Sequence, residues 1–94
     1  MPEPSASLVY VTRQDCHLCE EGRLELQRVL EERVVAGRPV LPVRYVDVDT
    51  DPALRARYSD LVPVLRLDDA ELPLAMRPGA IRRFLAARLD ARVA

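Results

Sequence analysis

Two cysteines with two residues between them, Cys16-His-Leu-Cys19, are the side chains here whose type and spacing could do chemistry. Such a pair can open and close a disulfide, or offer two soft ligands to a metal. The thiolate is the nucleophile in the first case, so the surroundings that lower a thiol pKa decide which cysteine attacks. Cys16 stands where a β-branched run ends and a helical pattern begins. A helix N-terminus exposes unpaired amide donors and carries about half a positive elementary charge, which favours thiolate over thiol. Cys16 is therefore the candidate nucleophile, and Cys19, one turn further on nearly the same face, the candidate resolving thiol. Arg13 and a protonated His17 assist the thiolate while Asp15, Glu20 and Glu21 oppose it, so a Cys16 pKa of about 7 is expected. His17 itself either donates to the thiolate or is a solvated side chain at a helix start.

Two other classes compete with redox chemistry. Cys16, His17 and Cys19 offer three ligands, whereas structural zinc almost always takes four, so a metal site would need a ligand from another subunit. No metal is expected. A noncatalytic interaction module would be signalled by loss of a cysteine, and both are present. Asp47, Asp49 and Asp51 alternate like cation ligands but lack the glycine and distal glutamate of an EF-hand loop, and read as strand-end and capping residues.

The elements that must position the pair follow from pattern. Residues 1–7 are polar and proline-containing and read as a disordered tail, leaving one domain over residues 8–94. Leu8-Val-Tyr-Val-Thr12 reads as a buried strand. Asp15 is the expected N-cap of a long amphipathic helix with Leu18, Gly22, Leu26, Val29 and Leu30 on its inner face, stopped by Gly37 and Pro39. Val40 to Val48 is the second strand candidate, its start weakened by Pro42. Asp49-Thr-Asp-Pro52 opens a short helix to about Tyr58. Val64 to Leu67, a turn at Asp68-Asp69, and Glu71 to Ala75 read as a hairpin. Pro78-Gly79 then introduces a last helix with Ile81, Phe84, Leu85 and Leu89 inward and Arg82, Arg83, Arg88 and Arg92 outward. The order βαβαββα describes an α/β fold: a mixed sheet of about four strands with helices on both faces, its first two strands parallel.

Composition removes further classes. All 14 basic residues are arginine, so Schiff-base and phosphate-loop lysine chemistry are excluded. Net charge is −1 and the pI near 5.8, which provides no field for nucleic acid or an anionic membrane. Aromatics are 4% with no tryptophan, so stacking platforms for bases are not expected either. The chain lacks an apolar run long enough to span a bilayer and a signal-peptide start, and a cytoplasmic location is expected.

Against this background the chain resembles the thioredoxin superfamily, and within it the short bacterial glutaredoxin-like proteins. The resemblance is carried by Leu8–Thr12, Cys16-His-Leu-Cys19-Glu-Glu, Tyr45-Val-Asp-Val-Asp-Thr-Asp-Pro-Ala-Leu54 and Leu61-Val-Pro-Val-Leu65. It implies a thioredoxin-like fold, a redox-active Cys16–Cys19 disulfide, and a cis bond at Val62-Pro63 facing the cysteines. It also implies a dithiol oxidoreductase that reduces protein or low-molecular-weight disulfides. Arg13, His17, Val62 and Pro63 are then the substrate-binding candidates, with Val62 presenting its backbone to an extended segment. Glutaredoxins meet the amino group of glutathione with an acidic or hydroxyl residue before the last helix, where this chain has Arg77-Pro78-Gly79-Ala80. A protein disulfide therefore fits as well as glutathione. No cofactor beyond glutathione as reductant is implied. The expected partners are a disulfide-bearing protein or glutathione and a reductase system, acting on a monomer.

Overall fold

A computed structural model of the protein describes residues 7–90. The expected tail, apart from Ser7, and Arg92 of the outer arginine stripe lie outside the described residues. Strand β1 (Leu8–Thr12) leads into helix α1 (His17–Val35), and β2 (Val43–Asp47) into a 3-10 turn over Val48–Thr50. Helix α2 (Pro52–Tyr58), strands β3 (Val64–Leu67) and β4 (Ala70–Leu72), and helix α3 (Pro78–Leu89) follow. The four strands make one mixed sheet in the order β2-β1-β3-β4. Tyr10 lies opposite Tyr45 in the parallel β1–β2 pair and opposite Leu65 in the antiparallel β1–β3 pair.

Strand periodicity divides the core into two layers, because successive side chains point to opposite faces. Leu8 and Tyr10 of β1, with Leu65 and Leu67 of β3, pack under Leu26 and Val29 of α1 and Ile81, Leu85 and Leu89 of α3. Val11 and Val64 turn the other way, onto Val48 and Tyr58, with Val9, Leu54 and Val62 at the margin. Two helices thus cover one face and α2 the other. Burying each of these large side chains contributes about 1.5–3 kcal/mol, and β1 and β3 contribute to both layers.

The structure departs from the sequence pattern in four places. The second strand starts at Val43, not Val40. Pro42 has no N–H to donate, although its carbonyl oxygen still accepts from Leu8 N at 2.9 Å. The fourth strand stops at Leu72 because Leu74 takes a left-handed backbone, φ 53°. Leu18, assigned to the core by its spacing, is 47% exposed. It lies on the first turn of α1, whose buried residues are Cys19, Gly22, Leu26, Val29 and Arg33. Asp15 is not the cap of α1: it sits at φ 57° at the end of the preceding turn, a conformation that aspartate tolerates, and Cys16 caps the helix instead.

At the far end, Gly37 takes φ 72° and lets the chain reverse after α1. Arg33 in the last turn of α1 is buried; its Nε donates to Pro39 O at 2.9 Å and its guanidinium grips Asp90 beyond α3. This ion pair fastens the ends of α1 and α3 together, opposite to the end that carries the cysteines.

Candidate functional site

The site is built where β1 hands the chain to α1. The Gln14-Asp15 turn brings Cys16 to the N-cap with an extended backbone, and Cys16 Sγ accepts a hydrogen bond from Cys19 N at 3.1 Å. The sulfur thus takes the place that a serine or aspartate oxygen fills in an ordinary cap. The two sulfurs lie at disulfide distance across a Cα separation of 5.2 Å. Their exposure differs: Cys16 is half-buried at the surface, whereas Cys19 is 1% exposed. An incoming group reaches Cys16 first, and Cys19 approaches it from behind.

Four of the titratable side chains around the pair, Arg13, His17, Glu20 and Glu21, are paired. His17 Nε2 lies 2.9 Å from Glu21 Oε2, one turn along the helix, and is 86% exposed. Glu20 pairs with Arg23 at 3.1 Å. Arg13 donates from Nε and Nη2 to the two oxygens of Asp49, and from Nη2 and Nη1 to the hydroxyl and carbonyl of Ser59. None of these Arg13 hydrogen bonds reaches a cysteine. The Arg13 guanidinium in turn holds the Asp49 carboxyl below the usual carboxylate range. Cys16 Sγ instead takes its hydrogen bond from a main-chain amide at the start of α1, that of Cys19.

Beside the cysteines runs a second loop. The Val62–Pro63 peptide is cis; Pro63 is buried and Val62 half-buried against the α2 layer. The chain after β4 pairs back onto this loop, with Leu74 N donating to Leu61 O at 3.0 Å and Ala75 N to Pro63 O at 2.7 Å. Leu61 and Leu74 are 36% and 48% exposed, and Leu18, between the two cysteines, is 47% exposed.

This arrangement of a half-buried capping cysteine, a buried partner one turn on and a cis-proline loop packed onto the same helix fits a C-x-x-C redox motif. The glutaredoxin-like domain family (DUF836) matches residues 7–93. The chain belongs to this family. Among solved structures, the glutaredoxin-like fold is shared with a structural-genomics target protein from X. campestris, XcR50. Its X-ray structure is 30% identical with a TM-score of 0.68, covering 85% of this chain and 96% of that one. Its solution structure gives 32% identity and a TM-score of 0.62, with 85% and 92% covered. A malarial protein of 15% identity and TM-score 0.60, with 88% and 96% covered, shares the fold. No curated protein matches significantly.

In this glutaredoxin-like domain the sequence pattern and the structure bring Cys16, His17, Cys19, Val62 and Pro63 to one end of the sheet, while Arg13 turns to Asp49 and Ser59. Among the described residues no three His, Cys, Asp or Glu side chains converge as a metal site. Asp47 and Asp51 cap the 3-10 turn and α2, accepting from Asp49 N and Ala53 N, each at 2.8 Å. Two further residues, Tyr10 and Gly22, belong to the site. The Tyr10 hydroxyl lies 3.4 Å from Cys19 O and 3.2 Å from Ala75 O, in a space that only a glycine at position 22 leaves open. A glycine inside a helix, away from either end, was the available signal, since it is unfavourable there unless something approaches closely.

Proposed function

We propose that this protein is a thiol-disulfide oxidoreductase that works by a dithiol mechanism on disulfides of protein substrates. The observation that carries this reading is the asymmetry of the pair: Cys16 is half-buried with its Sγ held by the Cys19 amide at 3.1 Å, and Cys19 is fully buried. Cys16 thiolate attacks one sulfur of the substrate disulfide, whose S–S bond breaks and whose other sulfur leaves as thiolate and takes a proton from solvent. Cys19, having lost its proton, then attacks Cys16 Sγ. The mixed disulfide breaks, the second substrate thiol departs, and two electrons have passed from the cysteine pair to the substrate. A cellular thiol, glutathione or a reductase system, returns the Cys16–Cys19 disulfide to dithiol, a cycle suited to the reducing cytoplasm.

The substrate reading follows from the rim. Leu18, Leu61 and Leu74 offer apolar surface, and the Val62 backbone stands next to them for an extended chain. Arg13 is held by Asp49 and Ser59, which leaves it no spare fork for a glutathione carboxylate. Reduction of a protein disulfide followed in the wild type, Cys16→Ser and Cys19→Ser tests the mechanism. Cys16→Ser should abolish the reaction, and Cys19→Ser should stall as a covalent mixed disulfide visible by mass spectrometry. Retained turnover in Cys16→Ser would overturn the assignment.

A further inference from the structure

The Tyr10 side chain rises from the middle of β1 into the layer under α1 and is fully buried. Its ring meets Tyr45 edge to face at 6.0 Å, and its hydroxyl sits between two main-chain carbonyl groups, Cys19 O at 3.4 Å and Ala75 O at 3.2 Å. One proton thus serves two acceptors from segments far apart in sequence. A Cβ on Gly22 would fall onto this hydroxyl, within 2.6 Å of Ala75 O and 3.3 Å of Pro63 Cγ. The glycine therefore opens the slot in which α1, the Ala75 segment and Pro63 meet the phenol. From Ala75 the connection continues, since Ala75 N donates to Pro63 O at 2.7 Å. The phenol is accordingly the link in a chain of hydrogen bonds running from the cis-proline loop to the peptide of the buried cysteine. Burial also pushes its pKa up, so it stays a neutral donor throughout the range in which thiols titrate.

We propose that Tyr10 is a positioning residue for the redox pair: its hydroxyl ties the Cys19 turn to the Pro63 loop and so holds Cys19 in place to close on Cys16. The inference rests on the thiol-disulfide reading above. In the closing step Cys19 thiolate forms the bond to Cys16 Sγ as the bond from Cys16 to the substrate sulfur breaks, and the substrate leaves as thiolate. The rate and equilibrium of that step depend on how closely Cys19 is held to its reacting geometry. In the oxidised protein the disulfide itself fixes the Cys19 turn. In the dithiol and mixed-disulfide forms only the fold does, and Tyr10 is its hydrogen-bonded contact there. Removing the hydroxyl therefore frees the reduced form more than the oxidised form, and ring closure becomes less favourable. A phenol that merely fills the core would affect both forms equally.

Tyr10→Phe keeps the ring and deletes the hydroxyl. Wild type and variant are equilibrated in dithiothreitol redox buffers, and the dithiol fraction is counted by alkylation and mass spectrometry. The expected result is a disulfide-formation constant about tenfold smaller in the variant, the worth of one ordinary hydrogen bond. That corresponds to a potential about 30 mV more positive. Release of substrate from the mixed disulfide should slow similarly, while the first attack by Cys16, measured in a Cys19→Ser background, keeps its rate. Wild type that forms no disulfide at any buffer ratio overturns the redox reading itself. Wild type that cycles, with Tyr10→Phe at the same potential and release rate, overturns the tether alone. Should Tyr10→Phe fail to fold, 3-fluorotyrosine placed at position 10, a stronger donor of similar size, is expected to move the potential the opposite way, and an unchanged potential again overturns the tether.

Discussion

Arg13 and Asp49 form a two-pronged ion pair, Nε to Oδ2 at 3.0 Å and Nη2 to Oδ1 at 3.2 Å, which joins the start of the turn before Cys16 to the segment after β2. A guanidinium so committed is a structural tie. A cation whose charge is already matched by a carboxylate in contact, and screened by solvent, contributes little to a thiol further along the turn. Thiolate absorbance of the reduced protein should therefore titrate along nearly the same curve in Arg13→Gln as in the wild type, within about half a unit. A rise of a full unit in the variant would return Arg13 to the role of activator.

Asp90 is the best placed of the carboxylates to govern acid stability. Arg33 and then Arg38 hold its carboxyl below the ordinary range, and Glu32 is lowered likewise by Arg82. A carboxylate whose folded pKa is depressed stabilises the fold above its unfolded pKa and loses that contribution as pH falls through the folded value. Stability should thus be flat from about pH 5 to 8 and drop below about pH 4. Urea midpoints across that range should show a shallower acid limb in Asp90→Asn. At neutral pH Asp90→Ala should be worse than Arg33→Met, because the first leaves the buried Arg33 guanidinium unpaired and the second removes the charge with it. Equal acid limbs in wild type and Asp90→Asn would contradict the assignment.

Leu18 lies between the two cysteines and Leu61 next to Val62, both with large exposed apolar surface. If these side chains contact a protein substrate, Leu18→Ser should raise its KM about fivefold, the value of half-burying one such side chain. Folding stability should hardly change, since little is lost from the core. Reduction of a small aliphatic disulfide should proceed at the wild-type rate in the same variant. A matching loss on both substrates would instead place the effect on the chemistry of Cys16.

The element order, the parallel first pair and the two-sided helix cover were legible because they depend on periods of 2 and 3.6 residues and on strong punctuation at Gly37, Pro39, Pro52 and Pro78. The cysteine pair was legible from its place at a strand-to-helix junction. What escaped depends on contacts between segments distant in sequence. Leu18 has helical spacing with Leu26, yet it is 47% exposed while Leu26 is fully buried. Arg13 reads as a free cation in the sequence, and only the return of Asp49 and Ser59 to its side occupies it. Asp15 has the right residue type for an N-cap, but the sulfur next to it takes the amide. Tyr10 reads as ordinary core because nothing local indicates that its hydroxyl meets Cys19 O and Ala75 O.

Leu74 offers a test in which stability and activity should move apart. Its backbone lies at φ 53°, where a leucine side chain crowds the following carbonyl at a cost of about 1–2 kcal/mol. The surroundings hold it there: its N–H donates to Leu61 O at 3.0 Å, and its carbonyl accepts from Met76 N at 2.8 Å. Bulky side chains in this region concentrate at functional positions, where the strain is tolerated because it presents a group outward. Leu74 is 48% exposed on the rim of the cis-proline loop. Asparagine tolerates the same backbone with less crowding and lacks glycine's extra freedom in the unfolded chain. Leu74→Asn should therefore stabilise the fold by about 0.5–1 kcal/mol, seen as a higher urea midpoint at unchanged slope. The same change removes apolar surface beside Val62, and KM for a protein disulfide should rise while a small disulfide is reduced as before. A variant that gains stability and keeps the wild-type KM for protein would show that Leu74 is strained without being used.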